Sequence, residues 1–302
     1  MKRTSSRQPP LHTTPRLYVD LPLAAGLSVA LSSEQAHHLV KVMRLRDGDS
    51  VRAFNGEHGE FVATVSGVGA RSGRATGKGA HRETALHIES QLRPQDGIPG
   101  EEPPGAWLLF APIRKTRLKV LVEKATELGA SCLVAVATAH TQEAAMEASV
   151  LDKLATTAVE ASEQCERLTV PRLLVPAVPL AHLLEGWAMD TVVPLGPEAP
   201  QPRPATLFVC VERSPDALPV LQALDDLLAS PLHGEEGPPP PAFLVGPEGG
   251  FSPEEVQSMA SLDFVRPVSL GANVLRSETA ALYALSCWSA ACARLGAAPP
   301  GQ

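Results

Sequence analysis

Two loops hold the residue types with which this chain could do chemistry. One reads GPEGGFSPEE (246–255) and follows the apolar run AFLV; the other reads LGANVLRSETAAL (270–282) and follows FVRPVS. Gly246, Gly249 and Gly250 let backbone amides approach a ligand closely, and Ser252-Pro253 starts a helix behind them. In open α/β sheets ligands bind beyond the carboxyl ends of strands, so two such loops in succession can form one pocket. Gly-Pro-Glu-Gly-Gly also serves as a plain tight turn, so the loops need their context. Other motifs are missing. No G-x-x-x-x-G-K-[ST] supplies a phosphate grip, and neither a G-x-S-x-G elbow nor an H-E-x-x-H is present. Gly67, Gly69 and Gly73 have the wrong spacing for a dinucleotide fingerprint and no helix after them. His37-His38 has no carboxylate or Cys partner at a ligand spacing, so no metal is expected there, and packing or RNA contact is the use assigned to it.

The elements that must position these loops form a strand–helix alternation from Ala106 onward. Strands are expected at AWLLFAP, CLVAVAT, DTVVPL (190–195), TLFVCVE, AFLV and FVRPVS. Helices are expected at TRLKVLVEKATELGA (116–130, with Gly129 near its C-cap), VLDKLATTAVEASEQC, PDALPVLQALDDLLA (215–229), SPEEVQSMA and RSETAALYALSCWSAACARL. Such alternation predicts an α/β layer structure with a mainly parallel sheet. Before it, short alternating runs from LYV to ALHIES (85–90), broken by Gly-rich turns, read as a small β-rich domain or barrel. That region has one helical candidate between Ser33 and Arg46, with Ser33 as N-cap and Ala36, Leu39, Val40 and Met43 on its apolar face. The expected organisation is a disordered tail (1–14), a β-rich domain (15–93), a linker (94–105) and an α/β domain (106–302). A basic loop at 67–83 and a Pro-rich insertion at 230–241 interrupt it.

Composition narrows the class. Hydrophobic residues are 44% and charged residues 20% of 302, a globular balance, and no apolar stretch reaches the length of a membrane span. The basic N-terminus has no apolar segment of the secretory type, and five Cys show no C-x-x-C, so a reducing cytoplasm is expected rather than a disulfide framework. The net charge of −7 is unevenly divided. Residues 1–95 carry 13 Lys and Arg against 8 Asp and Glu, or +5, whereas the rest carry 13 against 25, or −12. A basic module on an acidic body can bind a polyanion, although +5 also serves solubility alone.

The two loops together resemble the signature of the RsmE family of ribosomal RNA uridine-N3 methyltransferases, within the SPOUT superfamily. The likeness extends to PRLYVD (15–20), HHLVKVMRLRDGD (37–49), FNGEHGEF (54–61), KTRLKVLVEKATELGA (115–130) and EASEQCERLTVP (160–171). It runs in the family's order from about Arg16 to Leu295, and departs from it at 1–14, 67–83 and 230–241. The resemblance implies a SPOUT-type knotted parallel-sheet methyltransferase domain with a small N-terminal PUA-like β-barrel that binds RNA. It implies S-adenosylmethionine as cofactor, ribosomal RNA of the small subunit as partner, a homodimer, and no metal.

By the same resemblance Gly246, Pro247, Glu248, Gly249 and Gly250 form one wall of the cofactor pocket. Leu270, Gly271, Asn273, Val274, Leu275 and Arg276 form the other. Methylation of uridine N3 removes an imide proton and spreads negative charge onto O2 and O4, which a placed cation would stabilise. Arg276 is the first candidate for that role, the alternative being that it holds its loop by pairing with Glu278 or Glu248. Glu278 or Glu248 is a candidate base. Arg16, His38, Lys41, Arg44 and Arg46 are the N-terminal RNA candidates. Arg114, Lys115 and Arg117, in a run of five cations with Lys119 and Lys124, could grip phosphates or form a solvated helix face. Glu160, Gln164 and Arg167 fall at i, i+4 and i+7, so they share one face of a helix, and could contact RNA or order the substrate side of the site. A non-catalytic RNA-binding assembly factor and an enzyme using another nucleotide cofactor are the alternatives; the intact loop motifs favour the methyltransferase. The last helix is apolar or small around nearly its whole circumference, so Leu282, Leu285 and Trp288 are expected at a dimer interface or in the adjoining core.

Overall fold

A computed structural model of the chain describes residues 13–68, 84–95, 105–141, 148–188, 204–212, 214–229 and 240–294. Two compact units divide it, Met1–Ile98 and Pro99–Gln302. The strand expected at 190–195 and most of 1–14, 67–83 and 230–241 lie outside the described residues.

The N-terminal unit is one sheet of β1 (Arg16–Tyr18), β2 (Ser28–Ala30), β3 (Ser50–Phe54), β4 (Glu60–Ser66) and β5 (Ala85–Arg93), in the order β1-β3-β4-β5-β2. β1 runs parallel to β3 and the other pairs are antiparallel. Period-two alternation sends Val51 and Ala53, Phe61, Ala63 and Val65, and Leu86 and Ile88 into a common core with Leu17 and Val29. Irregularities in the β4–β5 pairing at Glu60/Phe61 and Val62/Ala63 curl the sheet. Thr14, placed with the tail by its composition, is buried, and its carbonyl accepts a bond from Arg52 Nε at 3.2 Å.

The single helix expected at 33–46 is shorter and differently built. A capping box of Ser32 and Gln35, one residue before the expected cap, starts α1 (Ser33–His37). The backbone then widens into one π-helical turn over His38–Val42. Arg44 takes a left-handed conformation (φ 60°), and the Leu45 N–H returns to the Leu39 carbonyl at 3.0 Å. Within this segment only Leu39 is fully buried, while Val42 is exposed, so there is no continuous apolar stripe to extend the helix.

The C-terminal unit holds β6 (Trp107–Phe110), α2 (Lys115–Glu127), β7 (Cys132–Ala137), α3 (Ala148–Gln164), β8 (Arg172–Pro179), α4 (Leu180–Ala188), β9 (Leu207–Cys210), β10 (Leu218–Pro219), α5 (Val220–Leu228), β11 (Ala242–Val245), α6 (Pro253–Ala260), β12 (Val265–Ser269) and α7 (Ser277–Arg294). Among the described residues its seven strands are all parallel, in the order β10-β12-β9-β11-β6-β7-β8. Both faces are covered, which is why the central strands read as unbroken apolar runs. Leu108, Phe110, Leu133, Phe208 and Phe243 pack under α2, α3, α5 and α7, while Trp107, Leu109, Val134, Val209 and Leu244 pack against α4 and α6. β11 enters between β9 and β6, and α7 returns to pack on β6, β11 and α2. β11 and β12 thus insert inside the sheet instead of extending it at an edge.

α2 ends as its sequence predicts. Gly129 is left-handed (φ 85°), its N–H reaches Thr126 O, and Ala130 N–H reaches Ala125 O. Three elements were not legible. β8 is an edge strand whose Pro176 disguises it, α4 follows it directly, and β10 takes Leu218 and Pro219 from the front of the expected helix, so α5 begins only at Val220.

Candidate active site

Both glycine loops sit at the carboxyl ends of strands, one after β11 and the other after β12. In the first, Gly250 (φ 71°) closes a turn by donating to Pro247 O at 2.9 Å. At Gly246 a side chain would press on the packing: a Cβ there would meet the Phe251 ring at 3.0 Å, so the ring would have to give way. Ser252 and Glu255 form a capping box with Pro253 in the first turn of α6, so the loop runs into a rigid helix start. Glu255 Oε1 also accepts the Ala139 N–H at 2.8 Å, and His140 Nδ1 lies 3.0 Å from Gly250 O, so the loop after β7 backs the first glycine loop. Sequence reasoning missed Phe251, His140 and this role of Glu255; only the Ser-x-x-Glu spacing carried a readable signal.

The second loop is pinned at its ends and open at its tip. Leu270 and Leu275 are half-buried and pack on the core beneath α7. Gly271 (φ 115°) turns against Ser269, whose Oγ takes its N–H at 3.3 Å. Asn273, Val274 and Arg276 are exposed. Two links join this loop to the first. The buried Ser277 donates its Oγ hydrogen to Gly246 O at 2.8 Å. Arg117, in the first turn of α2, pairs with Glu248 through Nη1 and lies 3.6 Å from Glu278 Oε1 through Nε. The pairing that the sequence left open for Arg276 therefore belongs to Arg117. Arg276 has no side-chain partner among the described residues. Arg117 in turn is withdrawn from the phosphate-gripping run. Glu278 Oε2 is buried with no hydrogen-bond partner among the described residues.

The RNA candidates separate into exposed and structural residues. Lys41, Arg44 and Arg46 are exposed and His38 is half-buried, all on or just after the π turn. Arg16 does not belong with them. Its side chain is 2% exposed, lies over the Phe54 ring at 4.1 Å and pairs with Glu60 at 2.6 Å; Glu60 also binds Arg93 at 2.9 Å. Burial pushes its guanidinium below the ordinary value and Glu60 pulls it back up. Arg114 and Lys115 are exposed at the start of α2, and Glu160 and Gln164 are exposed on α3. Arg167 does not share their face, because α3 stops at Gln164 and Glu166 turns left-handed (φ 61°). Its guanidinium donates to Thr126 O at 2.7 Å and Ala130 O at 2.9 Å, completing the end of α2. All five cysteines are free.

Comparison with known proteins agrees with this architecture. A family model described as an RNA methyltransferase domain matches residues 101–289, and one described as an RNA methyltransferase PUA domain matches 31–75. The ribosomal RNA small subunit methyltransferase E of Rickettsia conorii is 26% identical over 272 residues, covering 90% of this chain and 93% of that protein. Its Bacillus subtilis namesake is 25% identical, covering 85% and 88%. Among solved structures, a putative methyltransferase from Legionella pneumophila in complex with the cofactor SAM is 26% identical with a TM-score of 0.67, covering 92% of this chain and 98% of that one. The Neisseria gonorrhoeae methyltransferase E shares the fold at 21% identity, with a TM-score of 0.65 and coverage of 92% and 97%. With a paired-loop site at the end of a parallel SPOUT sheet and a methyltransferase model spanning more than half of its length, the chain belongs to the RsmE family of RNA methyltransferases.

Proposed function

We propose that this protein transfers a methyl group from S-adenosylmethionine to N3 of a uridine in small-subunit ribosomal RNA, in the cytoplasm and as a homodimer. The observation that carries the reading is the joining of the two glycine loops by the Ser277–Gly246 bond and the Glu248–Arg117–Glu278 bridge. That joining makes a single site of two loops with open backbone. The residues fit the cofactor's chemistry: a nucleoside without phosphates needs backbone donors and acceptors and apolar walls, not a cationic phosphate grip. Gly246, Pro247, Glu248, Gly249 and Gly250 would hold one side, and Leu270, Gly271, Asn273, Val274 and Leu275 the other. When bound, the cofactor supplies an electrophilic sulfonium methyl group. N3 would take that methyl group and give its imide proton to a carboxylate base, with Glu278 and Glu248 the candidates.

The chain's own residues would act on the uracil. Arg276, exposed at the end of the second loop, is the cation assigned to the charge developing on O2 or O4, where a donor already in place stabilises the transition state more than the ground state. Glu278, two residues further on and beside Arg117, is a candidate to accept the imide proton. Lys41, Arg44, Arg46 and His38 in the N-terminal unit, with Arg114, Lys115, Glu160 and Gln164, are assigned to RNA. Incubation of the protein with labelled S-adenosylmethionine and undermethylated small subunits tests the whole reading. The expected product carries one methyl group at uridine N3, read as a reverse-transcription stop, with or without chelator. Label at another atom, or none despite cofactor binding, overturns the assigned reaction.

A further inference from the structure

The π-helical turn puts into water a side chain that a regular helix would turn inward. Val42 is 62% exposed, more than any other large apolar side chain among the described residues. Its apolar neighbours go the other way: Leu39 is fully buried, and Met43 and Leu45 pack half-buried on the core of the N-terminal unit. Had α1 continued regularly, Val42 would follow Leu39 by three residues and share its inward face. The bond from Met43 N–H to His38 O at 3.0 Å spans five residues instead of four and admits an extra residue to the turn. That widening swings Val42 away from Leu39. Such turns are rare and concentrate at functional sites, and this one forgoes the burial of an isopropyl group.

Three cations flank it. Lys41, Arg44 and Arg46 are exposed, and none has a side-chain partner among the described residues. An apolar tip among free cations complements a ligand that sets apolar faces between anionic groups. Unpaired RNA is such a ligand, because its splayed bases offer their faces between backbone phosphates, whereas a duplex hides those faces in its stack. The segment also lies inside residues 31–75, which match the RNA methyltransferase PUA model. We propose that Val42 packs against the face of an unpaired nucleobase while Lys41, Arg44 and Arg46 hold the flanking phosphates. The inference rests on the assignment of those cations to RNA, and adds the contact that tells an unpaired strand from a duplex. An aliphatic side chain has no donor or acceptor, so the contact selects an exposed base rather than a base identity.

Two strands of equal charge test this: a single-stranded oligouridylate, and an abasic ribose-phosphate strand of the same length. In fluorescence-anisotropy titrations the full chain should bind the base-bearing strand roughly fivefold more tightly, the affinity that burying an isopropyl group supplies. Val42→Ser should remove that preference and Val42→Leu should keep it. Neither should change the slope of log K against log salt, which reports phosphate contacts. Because Val42 supports no part of the buried core, both variants should unfold in urea at the midpoint of the unmodified protein. An unmodified protein without the preference overturns the proposal. So does a Val42→Ser protein that keeps it or flattens the slope, or a Val42→Leu protein that loses it. Loss of binding to phosphatidylserine vesicles in Val42→Ser, at unchanged RNA affinity, would give the side chain to a lipid surface and overturn it too. Failure of both strands to bind at low salt would overturn the assignment of the cations to RNA instead.

Discussion

Two arginines lie at the loops, and their surroundings divide the work between them. Arg117 is immobilised by two carboxylates from two loops, whereas Arg276 is exposed with no side-chain partner among the described residues. A group that stabilises charge only as it develops should show its effect in turnover and not in ground-state binding. Arg276→Ala is therefore expected to lower kcat on the order of 100-fold while the S-adenosylmethionine Kd stays within about threefold. Single-turnover kinetics with parallel titration checks both; lost cofactor affinity at normal saturated turnover would make Arg276 a loop anchor. Arg167 shows the opposite case, a cation read as a ligand contact and found in a structural role. Its two bonds to carbonyls of the α2 terminus are charge-assisted and half-buried. Arg167→Ala should cost the C-terminal unit about 2 kcal/mol in urea unfolding and leave the salt dependence of RNA binding unchanged. A shallower salt slope at unaltered stability would return Arg167 to the RNA face.

Legibility in the sequence followed the range of the interaction that shapes each element. α2 and α6 announced their ends locally, through Gly129 and through Ser252-Pro253 with Glu255. The apolar strands β6, β7, β9 and β11 were readable because burial on both faces removes polar alternation. β8 was not, since an edge strand can keep Pro176 and half-exposed positions that a central strand could not tolerate. The stop of α3 was read to within one residue, at Cys165 against Gln164, but the left-handed Glu166 that swings Arg167 off its face carries no glycine to advertise it. The two loops were legible as walls of one pocket, but the contacts that join them were not. Nothing local tells that Arg117 bridges to Glu248, 131 positions away, and to Glu278 beyond it, and a cationic helix start reads equally well as a phosphate grip. The π turn after α1 belongs to the same class: periodicity predicted a longer helix, yet the turn and the left-handed Arg44 put Lys41, Arg44 and Arg46 on exposed backbone. If these three contact phosphates, each neutralised charge releases counterions on binding. Replacing all three with alanine should flatten the slope of log K against log salt by about 2. An unchanged slope in fluorescence-anisotropy titrations would remove this segment from the RNA interface.

At the scale of the molecule, α7 decides how the C-terminal unit can associate. An all-round apolar helix must be covered on several sides, and its own unit covers most of them: Ala281, Ala284, Leu285, Trp288 and Ala291 are buried against the core. Leu285 and Trp288 are thus core residues, and substituting them would test folding rather than association. What stays exposed is a stripe of Thr279, Tyr283, Ser286 and Ala290, at successive spacings of four, three and four residues that keep one helix face, running out at Ala293 and Arg294. Exposed helix faces ordinarily carry charge, and this one has none before Arg294, which pairs with Asp225 of the same chain; Tyr283 is an exposed large aromatic, with small neighbours that would let a second helix approach closely. Tyrosine suits such a position because it buries a large ring while its hydroxyl keeps a polar partner. If the proposed homodimer forms through this face, sedimentation equilibrium at micromolar concentration should give twice the monomer mass of 31.8 kDa. Tyr283→Glu should then yield a folded monomer, since the residue supports no part of the buried core, and the monomer should lose methyl transfer. A fully active species at the monomer mass in the unmodified protein defeats the dimer, and a dimer that survives Tyr283→Glu moves the interface off α7.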